Sequence, residues 1–274
     1  MDNFPTISCH DIIFNGQISY YRHPADEPFS PDTAFVISED WASVDEISVA
    51  FTKLVKKEER LAKKHKFAWD PEFGFLTPRL AWCGNGLTLS CDIHLEGLHL
   101  LGRLNQTLEA LNALRISYNS NSYRNITHAG HMFTLENSSS LGISDRDLCR
   151  RISSVFDDLL RQEMNAREKL IKEKSIFFDD SIERAIAVLQ NARIISQYEV
   201  LDMVSPIALA ASFGFISGAT SDHLYELMFT VMDDIENKID DDEYDLIADQ
   251  LLAEHMRNAF RTVKLNTKGK KYLR

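Results

Sequence analysis

The sequence predicts an α/β fold in which an antiparallel sheet is backed by helices and followed by an all-helical C-terminal region. Two patterns carry this prediction. Apolar and polar residues alternate along residues 86–95, as in a strand with one buried face. Beyond about residue 180, apolar residues recur at helical spacing. The predicted C-terminal helices lie at 181–192, 197–204, 205–213, 221–237 and 242–260.

Short strands and turns are predicted near the start of the chain. Apolar stretches at 12–14 and 18–21 flank Asn15-Gly16, a dipeptide typical of tight turns, so we expect a hairpin there. A third strand is expected at 34–37. Residues 44–65 predict a helix, because their apolar side chains recur on one side and charged side chains occupy the other.

The middle of the chain continues this pattern. Leucines between residues 98 and 111 recur at helical spacing and predict an amphipathic helix that covers the sheet. A polar loop is expected at 117–127 and a strand at 131–135. Ser144 and Asp147 predict the start of a long helix, because serine caps helices and an acid suits the first turn.

Composition and charge exclude several classes of protein. The 274 residues carry a net charge of −11, which argues against a general nucleic-acid surface, since such surfaces need clustered cations. The four cysteines form no C-x-x-C pair, which favours free thiols in a reducing compartment. No signal peptide and no apolar stretch of about 20 residues is evident, so we expect a cytoplasmic protein without membrane contact.

Other site motifs are weak. No Walker-type phosphate loop and no Gly-x-Ser-x-Gly motif occurs. His128 and His131 have H-x-x-H spacing without further ligands, so we expect a loop-to-strand corner and no metal. Residues 233–245 are strongly acidic and 264–274 are basic; both are expected to be solvated surface, the second as a mobile tail.

The most informative motif is residues 73–95, FGFLTPRLAWCGNGLTLSCDIHL. It resembles the active-site strand of the ATP:guanido phosphotransferases, which include creatine kinases, arginine kinases and the bacterial protein-arginine kinases of the McsB type. The matching positions are Gly74, Leu76, Thr77, Gly84, Gly86 and Ser90. Further similar segments follow in the family's order at 69–74, 130–137, 141–144, 162–168 and 191–196.

The resemblance covers about residues 12–262 and implies a domain organisation. Residues 1–178 correspond to the catalytic-type α/β domain and 179–263 to the helical C-terminal domain of the McsB type, followed by the basic tail at 264–274. The family's N-terminal domain, which supplies further arginines, has no match and is expected to be absent.

Four positions that the resemblance assigns to the active site carry different residues here. The family's reactive cysteine falls on Arg79 and its asparagine on Trp82. Its two phosphate-binding arginines fall on Thr88 and Asn119. Phosphoryl transfer depends on cations placed around the triphosphate, so these replacements predict a degenerate site without catalytic residues.

Three residues remain open as replacements for the lost groups. Arg124, in the loop before residue 130, is a candidate for a relocated phosphate-binding charge. Asp26 and Glu27 fall near the family's carboxylate motif and are candidates for a shifted base. If any of these residues act, Mg-ATP is the expected ligand; otherwise no cofactor is expected.

Four residues are candidates for protein binding. Arg79 and Trp82 are residue types that often anchor interfaces; the alternative is that they only fill the old pocket. Tyr244 and Asp245 fall at the phosphoarginine-reading site of the McsB type, where both of that site's arginines are absent. Reading of phosphoarginine by this route is therefore not expected.

The predicted function is that of a catalytically inactive protein-arginine kinase that acts as a binding, regulatory or scaffold subunit. The alternative is an active protein-arginine kinase with relocated charges, and a third possibility is an adaptor with a peptide groove in its helical domain. By analogy with the McsB type, the expected partners are an active kinase or a zinc-containing activator of the McsA kind, and a second copy in a homodimer. Neither nucleic acid nor membrane is expected as a partner.

Overall fold

The computed structural model describes residues 11–119, 128–237 and 246–273. Its centre is a five-stranded antiparallel sheet with strand order β2-β1-β5-β7-β6. The sheet strands are β1 (Ile13–Arg22), β2 (Phe35–Trp41), β5 (Leu87–His94), β6 (Ile116–Asn119) and β7 (Met132–Asn137), and a small hairpin is formed by β3 (Trp69–Asp70) and β4 (Gly74–Phe75). The predicted antiparallel sheet is confirmed.

The predicted hairpin at Asn15-Gly16 is wrong, because β1 runs through these residues as one strand. Its register with β5 shifts between Phe14 and Gln17, so the dipeptide forms a bulge and not a turn. Asn15 has a φ of 48°, which asparagine tolerates better than most residues. A Cβ at Gly16 would lie within 2.4 Å of the Trp41 ring, so the glycine is needed for the close approach of β2.

Helices cover the apolar side of the sheet. They are α1 (Ile47–Ala62), α2 (Glu96–Leu100), α3 (Leu104–Ala113) and α4 (Asp145–Glu173). The single helix predicted at 98–111 is interrupted at Gly102, whose φ of 70° ends α2. The loop predicted at 117–127 was wrong at its start, where β6 pairs with β7. Ser144 caps α4 by accepting a hydrogen bond from the Asp147 N–H at 3.2 Å, as predicted.

The described residues of the C-terminal region form helices and one two-stranded ladder. Its elements are α5 (Ser175–Asn191), α6 (Gln197–Ser212), β8 (Ile216–Ser217), α7 (Ser221–Asn237), α8 (Leu246–Ala259), β9 (Lys264–Leu265) and α9 (Thr267–Leu273). The two stretches predicted at 197–204 and 205–213 form the single helix α6, which contains Pro206. The boundary expected between residues 178 and 179 falls inside α5.

The basic segment at 264–273 is part of the folded structure, so the expectation of a mobile tail is wrong. β9 pairs with β8, and the Lys268 ammonium donates a hydrogen bond to the Phe213 carbonyl oxygen at 2.7 Å. Leu273 is completely buried, and the Tyr272 ring stacks on Phe215 with centroids 5.7 Å apart. The sequence of basic residues predicts an exposed surface, but the apolar residues between them pack against the fold and hold the segment in place.

A buried polar network joins the sheet to the C-terminal helices. Glu163 and Arg167 of α4 form an ion pair at 2.7 Å, and both side chains are fully buried. Arg167 also donates to the carbonyl oxygens of Asp11 and His94 at 3.0 and 3.2 Å. The His94 ring contacts the Ser205 hydroxyl of α6 at 2.8 Å. The 162–168 motif therefore serves to connect the two parts of the fold. No helix in the described parts of the chain is long and apolar enough to cross a bilayer.

Candidate functional site

The sheet has a polar face on the side opposite α1 to α4. Residues directly opposite each other in an antiparallel pair point to the same side, so the strand register defines this face. It carries Gln17, Ser19 and Tyr21 of β1, Ser38 and Asp40 of β2, Thr88, Ser90, Asp92 and His94 of β5, Ser117 and Asn119 of β6, and Thr134 and Glu136 of β7. This is the face on which the degenerate position Thr88 was predicted to lie.

The strand residues of the polar face include three carboxylates and no lysine or arginine. Asp40, Asp92 and Glu136 supply the negative charges. Asp92 is held in place because it accepts hydrogen bonds from the Asn15 side-chain amide and the Thr134 hydroxyl, each at 2.7 Å. Fixed carboxylates at these positions repel a polyphosphate.

Three side chains stack over one end of the polar face, and we call them the aromatic stack. The rings of Tyr21 and Trp82 lie parallel, with centroids 3.8 Å apart and an interplanar angle of 13°. The Arg79 guanidinium lies over the Trp82 ring, 4.4 Å from its centroid. A cation over an indole ring contributes about 0.5–1 kcal/mol at an exposed site, so the arrangement is stabilising in itself.

The aromatic stack closes the sheet surface beneath it. Tyr21 lies next to Thr88, which is only 4% exposed. Trp82 and Arg79 lie next to Glu136. Burial raises the pKa of Glu136, against the opposing effects of the Trp82 indole N–H and the Arg79 charge. Burial also raises the pKa of Tyr21, with a further contribution from the Glu136 charge.

Glycines shape the segment that presents Arg79 and Trp82. Arg79 immediately precedes a 3-10 turn at Leu80–Trp82, and Trp82 is the last residue of that turn. The Thr77 hydroxyl donates to the Arg79 carbonyl oxygen at 2.7 Å. Gly84 has a φ of 107°, and a Cβ there would lie 2.8 Å from the Leu141 Cα. The backbone frame that resembles the phosphotransferase strand is thus required by local packing, whatever side chains it carries.

A second arginine lies close to this segment but is not available to a ligand. Arg22 is 2% exposed and pairs with Glu58 of α1 at 3.0 Å. It also donates to the Asn85 carbonyl oxygen at 2.9 Å, and its guanidinium lies over the Phe75 ring at 3.8 Å. Burial lowers the pKa of Arg22, while the Glu58 hydrogen bond opposes this effect. Arg22 therefore acts in packing on the apolar side of the sheet.

An acidic cleft of about 620 Å³ opens between the polar face and α7. Four carboxylates line it, from Asp92, Asp222, Glu226 and Asp233, together with the rings of Phe14, Tyr225 and Phe229. No lysine or arginine is among the lining residues. Its electrostatic character is the opposite of what a nucleotide phosphate chain requires.

The structure brings some of the predicted site residues together and separates others. Arg79, Trp82 and Thr88 meet at the aromatic stack. Asn119 shares the polar face but is exposed in β6, opposite Thr134. Arg124, Tyr244 and Asp245 lie outside the described residues, so their roles stay predictions.

The two candidates for a shifted base, Asp26 and Glu27, are exposed in the turn after Pro24. Neither has a hydrogen bond or ion pair to the stack in the parts of the chain described. Sequence reasoning missed Tyr21 and Glu136, which complete the site. The signal available for Glu136 was its place in the 130–137 segment, where the similar family motif has a serine.

Comparison with known families agrees with this architecture. Residues 41–166 match the family model of the ATP:guanido phosphotransferase C-terminal catalytic domain. Residues 175–270 match the model of the protein-arginine kinase McsB C-terminal domain. The chain is an ATP:guanido phosphotransferase-like protein of the McsB type. The expected family resemblance is therefore confirmed; the first matched segment ends within α4 and the second begins at the start of α5.

Individual McsB-type relatives are moderately similar. The protein-arginine kinases of Bacillus mycoides (strain KBAB4) and Bacillus cereus (strain G9842) are each 28% identical over 183 residues, which cover 67% of this chain and 52% of the relative. The chain thus spans about half the length of the curated relatives it matches. Among solved structures, the duplicated taurocyamine kinase of Schistosoma mansoni aligns at 17% identity with a TM-score of 0.40, covering 58% of this chain and 23% of that one.

Proposed function

We propose that this McsB-type chain is catalytically silent and acts as a protein-binding or regulatory subunit in the cytoplasm. The proposal rests mainly on the environment of Thr88, which occupies the position of the family's phosphate-binding arginine. The Thr88 side chain is uncharged, nearly inaccessible to solvent and covered by the aromatic stack, and the carboxylate of Glu136 lies next to that stack.

The described residues do not fit Mg-ATP. A charge-assisted hydrogen bond to phosphate contributes roughly 1.5–3 kcal/mol. The replacements at Thr88 and Asn119 remove two such interactions, and Asp92 adds repulsion nearby. Together these changes predict a loss of roughly a hundredfold or more in nucleotide affinity. No phosphoryl-transfer step is therefore assigned to these residues.

The aromatic stack supports a binding role for the same surface. Tryptophan and arginine are enriched among the residues that dominate protein interfaces, and here Arg79 is exposed while Trp82 is half-buried and prealigned by Tyr21. A prealigned ring loses little conformational entropy on binding. The proposed partners are a second copy of the chain, an active protein-arginine kinase, or a zinc-containing activator of that kinase.

A phosphoarginine assay separates this proposal from its rival. The purified chain is incubated with Mg-ATP and protein substrates, and phosphoarginine is quantified by mass spectrometry beside an active protein-arginine kinase. The proposal predicts no phosphoarginine above the enzyme-free control. Its rival, an active kinase with relocated charges, predicts phosphoarginine that disappears in Arg124→Ala or Glu27→Gln, and that result would overturn the proposal.

A binding assay tests the positive half of the proposal. Sedimentation velocity of the chain alone, and with an active protein-arginine kinase, measures self-association and complex formation. Trp82→Ala should weaken the association. The matched control is Trp69→Ala, which removes a 59% exposed tryptophan from β3 that is not part of the aromatic stack. Equal behaviour of the two variants would separate the aromatic stack from binding.

A further inference from the structure

One side of α1 carries a row of exposed cations that the fold does not use. Lys53, Lys56 and Arg60 recur at intervals of three and four residues and share one side of α1, and Lys63 and Lys64 continue the row in the turn that follows the helix; we call these five residues the basic stripe. All five are exposed. At the helical rise per residue, the row from Lys53 to Lys64 is about 16 Å long. The buried side of α1, with Ile47, Ala50 and Leu54, packs on the sheet.

These cations lack carboxylate partners. None of the five stripe residues forms an ion pair within the described ranges. By contrast, five exposed cations on α4 and α5 pair with an acid three or four residues away, at distances of 2.7–3.5 Å, and we call these the paired cations. They are Arg150, Arg161, Lys169, Lys172 and Arg184.

The basic stripe keeps a net positive charge although the exposed carboxylate of Glu59 lies beside it, between Lys56 and Arg60. Glu58 is turned inward to Arg22, so its charge is not on the surface of α1. Lys57 projects beside the stripe but is paired with Glu39 at 2.6 Å. Cations at a helix C-terminus stabilise the helix dipole, which accounts for Lys63 and Lys64. That effect falls off within a turn, so it leaves Lys53 without a structural role.

We infer that the basic stripe is a docking surface for an acidic segment of a protein partner. An acidic segment is complementary in charge to this row, because its five cations without ion pairs stand together on a chain whose net charge is −11. Val49, 55% exposed and one turn before Lys53, adds an apolar contact at one end of the row. Carboxylates spaced three and four residues apart on a partner helix match this row in pitch and length.

The surroundings favour a compact partner over an extended polyanion. Asp45 and Glu46 immediately precede α1, so a membrane or a long nucleic acid that extends past Lys53 toward the start of the helix meets these carboxylates. The apolar side of α1 is buried against the sheet, so the helix cannot insert into lipid. A short acidic segment engages the basic stripe alone.

Fluorescence anisotropy with a labelled probe tests the inference. The probe is a synthetic helical peptide with glutamates at intervals of three and four residues; phosphatidylserine vesicles and a short DNA duplex are titrated in parallel. One variant changes all five stripe residues to Gln. The matched control changes the five paired cations to Gln, which alters the net charge by the same amount. Circular dichroism verifies that both variants are folded.

We expect saturable peptide binding that weakens as salt rises, and a dissociation constant about tenfold higher in the stripe variant, because several individually weak surface pairs add. The control variant should change the constant by less than about twofold. The inference is overturned if the peptide does not bind, if both variants weaken binding equally, or if only vesicles or DNA show dependence on the basic stripe. This inference does not depend on the state of the polar face, so it and the proposed function can fail separately.

Discussion

Replacement of Glu163 by glutamine should strongly destabilise the fold. The carboxylate accepts three hydrogen bonds in a site without solvent: from Arg167 at 2.7 Å, and from the backbone N–H groups of Gly97 and Leu98 at 2.8 and 2.9 Å. Glutamine has nearly the same volume but only one acceptor oxygen. Its amide NH₂ would face one of these donors, and the guanidinium of Arg167 would lose its counter-charge.

The expected cost follows from these contacts. Removal of one partner from a buried ion pair costs about 3–5 kcal/mol, because the remaining charge stays desolvated. The misplaced amide leaves a backbone donor unsatisfied, which is included in that range. Whole domains are stable by only about 5–15 kcal/mol, so the variant should lose a large fraction of its free energy of unfolding.

Urea denaturation followed by circular dichroism measures the effect. The matched control is Glu168→Gln, on the same helix, in an ion pair of the same spacing at 2.9 Å with Lys172, but with both side chains about half exposed. That change should cost no more than about 0.5 kcal/mol. A loss below about 1 kcal/mol for Glu163→Gln, or equal losses for the two variants, would refute the view that this pair ties the sheet to the helical region.

Three further predictions concern other parts of the molecule. Trp82→Phe keeps a ring over Tyr21 but removes the indole N–H that lowers the pKa of Glu136, so the already raised pKa of Glu136 should rise further in a carbon-13 NMR titration; an unchanged pKa would contradict this effect of Trp82. Burial and the charge of Arg167 hold the pKa of His94 well below its usual value, so below about pH 6.5 the unfolded chain takes up a proton that the folded chain does not, and the free energy of unfolding should fall. His94→Gln should make the urea midpoint less dependent on pH, and an equally steep pH dependence in this variant would contradict the assignment to His94. Deletion of residues 267–274 removes the buried Leu273 and should cost roughly 3 kcal/mol by the same assay, whereas an unchanged midpoint would restore the idea of a loose tail.

Periodicity predicted the sheet and the helices well where one face of an element meets the core. The strand at 86–95 and the cap at Ser144 are local patterns, and the structure has them nearly as expected. The Asn15-Gly16 bulge was missed because its glycine is required by Trp41, which lies far along the chain. The packing of the basic segment at 264–273 likewise depends on Phe215, a tertiary partner that the local sequence does not contain.

Only some residues of the candidate site could be predicted from the sequence. Family spacing located Arg79, Trp82 and Thr88, because these occupy motif positions. Tyr21 was missed because the strand register that brings it to the same face as Thr88 cannot be counted from one strand alone. The spacing of the basic stripe, by contrast, can be read from the sequence, whereas the inward orientation of Glu58, which removes one carboxylate from the surface of α1, follows only from the structure.

The central claim is that the phosphotransferase-like site of this chain no longer binds nucleotide. Calorimetric titration with Mg-ATP and Mg-ADP tests this claim most directly. The account predicts no heat of binding and no thermal stabilisation at millimolar nucleotide, because the polar face offers carboxylates where a triphosphate needs cations. Saturable binding at micromolar nucleotide would contradict it and would place a cationic site among residues such as Arg124.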